Sequence, residues 1–170
     1  MLYNLTKHGN RKVIFILGKG QLLNQSIVSK KPNALFCEAA CPVKVIEIAE
    51  EQFLQLMEQS HALTRAVLRE YERNLWRMGH QLKNTTGNMQ MERKIAAKLW
   101  KLGRDFGVDT EDGVMIDIDL TITLMADLVG APRENVSRAC KVLTDRGLIR
   151  YGNKRFTLTD SDGLADFDKM

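Results

Sequence analysis

At 170 residues, the chain has room for one ordinary domain, or for a small domain with a long helix and part of a second. Its 44% hydrophobic content is normal for a folded protein, and no apolar run approaches the roughly 20 residues needed to cross a bilayer, which argues against a helical membrane protein. A net charge of +4 permits nucleic-acid binding without establishing it.

The first fifty residues read as β-structure. Lys12–Leu17 (KVIFIL), Ala34–Ala39 (ALFCEA) and Val43–Ile48 (VKVIEI) have the apolar, β-branched character of strands, and Gly9-Asn10 and Gly18-Lys19-Gly20 supply turns. The opening MLYNLTKHGNRK lacks the apolar core of a signal peptide, and three cysteines without a pattern suit a reducing cytoplasm. Cys37 and Cys41 are four apart. On an extended strand that is about 13 Å, beyond the roughly 7 Å Cα separation that a disulfide tolerates. An iron–sulfur cluster calls for four thiolates, and only three cysteines exist. All three are expected to be small buried hydrophobes.

From Glu50 to about Asn88 the pattern is helical. Leu63, Val67, Tyr71, Leu75, Met78 and Leu82 recur at steps of four, four, four, three and four, with arginines and glutamates between them. Such a stripe packs either on its own domain or against a second copy. Asn84, Thr85, Thr86, Gly87 and Asn88 form a polar break, read as a hinge. Further on, Asp109, Glu111 and Asp112 mark a loop. Val114, Ile116 and Ile118 then alternate with Met115, Asp117 and Asp119 as in a short strand with a solvated acidic side.

Thr121–Arg146 carries the strongest signal. Ile122, Met125, Ala126 and Val129 make a short amphipathic helix, Gly130 breaks it, and Pro132 stands where a second helix begins. That helix turns Val136, Ala139, Cys140 and Leu143 inward. Its other face presents Arg133, Glu134, Asn135, Ser137, Arg138 and Lys141, side chains suited to base edges and phosphates. Leu148–Thr159 then reads as two strands around a Gly152-Asn153 turn, a basic wing. Between Pro132 and Arg155 stand seven basic and two acidic residues, whereas the rest of the chain from Met91 onward has six basic and twelve acidic. The cations are concentrated where phosphate contact would need them.

The segment from about Met91 to Asp160 resembles the C-terminal winged-helix domain of the CRP/FNR family of bacterial transcription regulators, and the run Arg133–Arg138 (RENVSR) is similar to that family's recognition-helix signature. The resemblance implies that Glu134 accepts from a cytosine amino group, that Arg138 donates to guanine O6 and N7, and that Arg133 meets a second guanine or a phosphate. Ser137 fits the oxygen-responsive branch, whose cluster cysteines precede the barrel. Thr121, Asn135, Lys141, Arg150, Lys154 and Arg155 are the expected phosphate contacts. The long helix becomes a dimer helix through Leu63, Val67, Tyr71, Leu75, Met78 and Leu82. The expected fold is α+β: a partial effector-type β-barrel at 1–50, a dimerisation helix and hinge at 51–88, and a winged helix-turn-helix at 89–170. A barrel of this kind has about eight strands, so the chain is expected to carry only its second half.

The family binds cyclic nucleotide through a Gly-Glu pair and an Arg-Ser pair. Here Asn24-Gln25 and Asn33-Ala34 occupy those places, Lys30 and Lys31 read as a solvated turn, and no cyclic-AMP binding is expected. No cofactor, metal or catalytic residue is expected: His8, His61 and His80 lack ligand spacing, and Gly18-Lys19-Gly20 is too short for a phosphate loop. The expected partners are double-stranded DNA, a second copy and, for activation, RNA polymerase, with the effector left open. The alternative is a winged helix that binds protein without specific DNA readout.

Overall fold

The computed structural model describes residues 1–7, 9–24, 26–28, 31–83 and 90–169. In chain order the elements are β1 (Leu2–Leu5), β2 (Arg11–Phe15), β3 (Phe36–Cys37), α1 (Glu50–Gln59), α2 (His61–Lys83), α3 (Met91–Phe106), β4 (Gly107–Thr110), β5 (Gly113–Ile116), α4 (Ile122–Val129), α5 (Arg133–Asp145), β6 (Ile149–Gly152), β7 (Arg155–Leu158) and α6 (Ser161–Lys169). Contacts divide the chain into two units, Met1–Tyr3 with Phe15–Thr86 and Asn4–Ile14 with Gly87–Met170. The hinge read at Asn84–Asn88 lies outside the described residues.

The N-terminal strands form an open three-stranded sheet ordered β2-β1-β3, and no closed barrel exists among the described residues. β3 pairs antiparallel with β1, Leu2 opposite Cys37 and Tyr3 opposite Phe36. Two more bonds extend the ladder, from the Glu38 amide to the Met1 carbonyl at 3.0 Å and from the Met1 ammonium to the Glu38 carbonyl at 2.7 Å. The expected strand at Ala34–Ala39 is therefore much shorter than its pattern. The one expected at Val43–Ile48 does not form: Ile46 is 90% exposed, and no ladder takes up the segment. Alternation supplies a strand's side chains, but its backbone groups still need a neighbour. The cysteines are corrected too. Cys37 and Cys41 are exposed, because β3 and the chain after it lie outside the core, and only Cys140 is buried.

Among the described residues of the first unit, Leu2, Phe15, Ile16, Ile27 and Val67 are the buried apolar ones, with the Arg77 guanidinium 5.5 Å from the Phe15 ring centre. The single long helix expected from Glu50 is two helices. Ser60 ends α1, its amide donating to the Leu56 carbonyl, and its hydroxyl accepts from the Leu63 amide at 3.2 Å at the start of α2. A serine side chain that satisfies an orphan amide makes a good helix start and a poor helix interior.

The second unit packs α3, α4, α5 and α6 with a four-stranded antiparallel sheet ordered β4-β5-β7-β6. Ile95 and Leu99 of α3, Ile116, Leu120, Met125, Val136, Leu143, Phe156, Leu158 and Leu164 close its core. The reading of Asp109 and its neighbours as loop is corrected: Gly107–Thr110 is β4, paired with β5, and only Glu111 and Asp112 form the turn. α3 and α6, which local pattern left unassigned, lie against each other.

Candidate DNA interface

α4 is short and depends on its caps. Thr121 starts it, its hydroxyl accepting from the Leu124 amide at 3.0 Å, a contact worth about 1 kcal/mol. Gly130 ends it in the left-handed region, at φ 72°, while its amide bonds the Ala126 carbonyl. The Lys12 ammonium donates to the Leu128 carbonyl at 3.1 Å, placing a cation at the helix C-terminus, where the dipole favours it. Burial of that ammonium, reinforced by Lys94, lowers its pKa. A Cβ at residue 130 would stand 2.8 Å from Lys12 Nζ, the movable end of a long side chain, so it is the backbone angle that calls for glycine. Nearby, Asp127 has its pKa raised by burial, opposed by Arg11 at 3.9 Å.

Pro132 precedes α5 in an extended conformation, and the helix starts at Arg133. Val136, Ala139, Cys140 and Leu143 are buried on its inner side, as the spacing required. Burial pushes the Cys140 thiol up to about 11, so it stays protonated at neutral pH and packs as a small apolar group. Arg133, Glu134, Asn135, Ser137, Arg138 and Lys141 are all exposed. Arg138 is partly preset, since its Nη2 donates to Asn135 Oδ1 at 2.5 Å.

β6 and β7 form the wing, with Arg150 opposite Thr157 and Gly152 opposite Arg155. Asn153 and Lys154 both have positive φ, 50° and 60°, the signature of a two-residue hairpin turn. The turn thus lies one residue later than read, and Lys154 occupies its tip. The Leu120 amide donates to the Lys154 carbonyl at 2.7 Å, tying the wing to the segment that leads into α4. Arg150 and Arg155 are ion-paired, Arg150 Nη1 with Asp112 Oδ2 at 2.7 Å and Arg155 with Asp117. The four expected base readers thus share the outer face of α5 with Asn135 and Lys141. Thr121 is half-buried as a cap, Lys154 is exposed, and the two wing arginines already have carboxylate partners.

Residues 93–167 match the family of Crp-like helix-turn-helix domains. Over 92% of this chain, a CRP-like cAMP-activated global transcriptional regulator of Mycobacterium tuberculosis is 25% identical, an alignment that spans 70% of that protein. The global nitrogen regulator of a Nostoc species is 27% identical over 71% of this chain and 53% of its own length. Among solved structures, a CRP/FNR-family transcriptional regulator from Thermus thermophilus superposes with a TM-score of 0.77 at 20% identity, covering 99% of this chain and 82% of its own. Residues 93–167 of this chain belong to the Crp-like helix-turn-helix family. As a CRP/FNR regulator it is a transcription factor with a helix-turn-helix DNA-binding domain, and its relatives are transcription regulators rather than enzymes. No helix among the described residues is long and apolar enough to cross a membrane.

In this CRP/FNR chain the stripe read on α2 does not share one environment. Val67 is 4% exposed within its own unit, Leu63 and Tyr71 are half-buried, and Leu75 and Met78 are exposed, Leu75 at 69%. The side chain of Leu82 lies outside the described set. Leu68, which the stripe left out, is also exposed, one heptad before Leu75. Of the residues where the family's nucleotide-binding pairs would stand, Gln25 is outside the described residues. Asn24 lines a shallow surface recess with Leu22, Glu70, Tyr71 and Asn74. Glu70 and Asn74 are buried polar side chains, and Glu70 is ion-paired with Arg73.

Proposed function

We propose that this regulator binds a two-fold-symmetric DNA site as a homodimer, each copy laying α5 in a major groove. Arg138 donates to guanine, Glu134 accepts from cytosine, and Arg133 and Ser137 complete base readout. Asn135, Lys141, Lys154 and the Thr121 turn hold the phosphates, with Arg150 and Arg155 as the wing's further cations. The observation that carries the reading is the outer face of α5, on which six polar side chains are exposed while the inner face is buried in its own unit. A helix whose apolar side is already satisfied offers its polar side to something else.

The same reading divides the chain into an effector-type region at 1–50, a dimer helix with hinge at 51–88 and the reader at 89–170, at work in the cytoplasm. Leu68, Leu75 and Met78, exposed on α2 beside Tyr71, support a second copy packing there. The residues where the family's phosphate-binding pair would stand support insensitivity to cyclic AMP, because Asn33 and Ala34 bring a cyclic phosphate no cation. Selection of duplexes from a random pool by the full chain tests the reading. The expected product is an inverted repeat with half-sites about one helical turn apart. No enrichment at low salt overturns it in favour of a protein-binding module. Micromolar binding of cyclic AMP in a titration calorimeter overturns the insensitivity.

A further inference from the structure

Cations on the helix and arginines on the wing stand in different electrostatic states. Arg133, Arg138 and Lys141 of α5, and Lys154 at the wing tip, make no ion pair among the described residues. Sheet register compensates the wing arginines. β5 and β7 pair Val114 with Leu158 and Met115 with Thr157. Two steps further along, that register brings Asp117 beside Arg155, and the two form an ion pair. Asp119 Oδ1 adds a second carboxylate, 3.8 Å from Arg155 Nη2. Asp112, in the β4–β5 turn, takes Arg150 at 2.7 Å. A DNA phosphate approaching either arginine has to displace a carboxylate or share the guanidinium with it, and a carboxylate that stays near the strand repels it.

We propose that Asp112, Asp117 and Asp119 are a brake on backbone affinity: they hold Arg150 and Arg155 out of phosphate contact and leave the grip to α5 and Lys154. Phosphate contacts are blind to sequence, so the brake weakens binding to every duplex alike and reduces the share of protein held on non-specific DNA. The inference rests on the DNA reading proposed above.

The test uses the full chain, the duplex selected from the random pool and a scrambled duplex of equal length, with binding followed by fluorescence anisotropy from about 50 to 200 mM salt. Asp112→Asn, Asp117→Asn and Asp119→Asn are combined in one variant, since asparagine keeps the shape and removes the charge. The combined variant is expected to bind both duplexes several-fold more tightly, with the slope of log K against log salt steeper by about one for each released arginine. Arg155→Ala is expected to cost less than about 3-fold in the native background and about 10-fold in the combined variant, because only there does the arginine reach phosphate. An unchanged affinity and slope in the combined variant, or an equal cost of Arg155→Ala in both backgrounds, overturns the brake while the DNA reading stands. A native-background loss of about 10-fold for Arg155→Ala overturns the brake without recourse to the asparagine variant. Native protein that binds neither duplex removes the DNA reading, and the brake with it.

Discussion

α2 and α5 are both helices with one side committed to their own unit, and they differ in what they leave outside. On α5 the outer side is polar: Arg133, Glu134, Ser137, Arg138 and Lys141 are exposed opposite buried Val136, Ala139, Cys140 and Leu143. On α2 much of the outer side is apolar: Leu68, Leu75 and Met78 are exposed beside a buried face of Val67, Glu70 and Asn74. The usual arrangement is reversed on α2, where among the described residues two polar side chains are buried and four large apolar ones, Trp76 with Leu68, Leu75 and Met78, are exposed. An exposed apolar helix face is a cost in water that the proposed second copy would remove. A polar face over a satisfied core has no such cost and is available to DNA. Periodicity alone did not separate the two sides of α2, because the stripe at steps of three and four straddles the boundary between them.

The largest test of this contrast is Leu75→Glu. The side chain is 69% exposed in the single chain, so folding is expected to survive. Sedimentation is expected to show a monomer, and affinity for the full inverted repeat to fall by about 10²–10⁴, the contribution of linking two half-site events. A variant that remains dimeric places the interface elsewhere. Next comes Arg138→Ala, expected to cost about 1–3 kcal/mol on the selected site and to relax discrimination at one base pair. Equal loss on scrambled DNA would make Arg138 a phosphate contact and blur the distinction between reading and holding.

Presentation of α5 depends on α4, so caps come third. Thr121→Ala is expected to lower unfolding free energy by about 1 kcal/mol in denaturant titrations, and Thr121→Ser to restore most of it. A loss equal for alanine and serine would mean that the hydroxyl's bond to Leu124 contributes nothing. The last effect, absent at neutral pH, concerns the inner side of α5. The Cys140 thiol is raised from 9.0 to about 11, so the neutral form is the one that folding favours. The stability that this contributes is present below pH 9 and is lost as the pH rises towards 11. Cys140→Ala is expected to abolish that alkaline decline, seen as a flatter midpoint between those pH values. An unaltered decline would assign it to other groups.

Much of the reader is legible in the residues alone. The span of α4, the break at Gly130, the start after Pro132 and the two sides of α5 all follow from contacts three and four residues apart, which a sequence displays directly. The wing is legible too, apart from the exact turn, because a hairpin pairs neighbours. By contrast, β4, the shortened β3 and the missing strand at Val43–Ile48 depend on which segment supplies a partner ladder. So do the pairs Arg150 with Asp112 and Arg155 with Asp117, each 38 residues apart in sequence. By itself the sequence determined the helix-turn-helix, its charge and the identity of its outward side chains, since these are set by local spacing. Only the tertiary structure decided which wing cations are neutralised, which side of α2 is left in water and which apolar stretches find a strand beside them, because those outcomes depend on segments brought together from far along the chain.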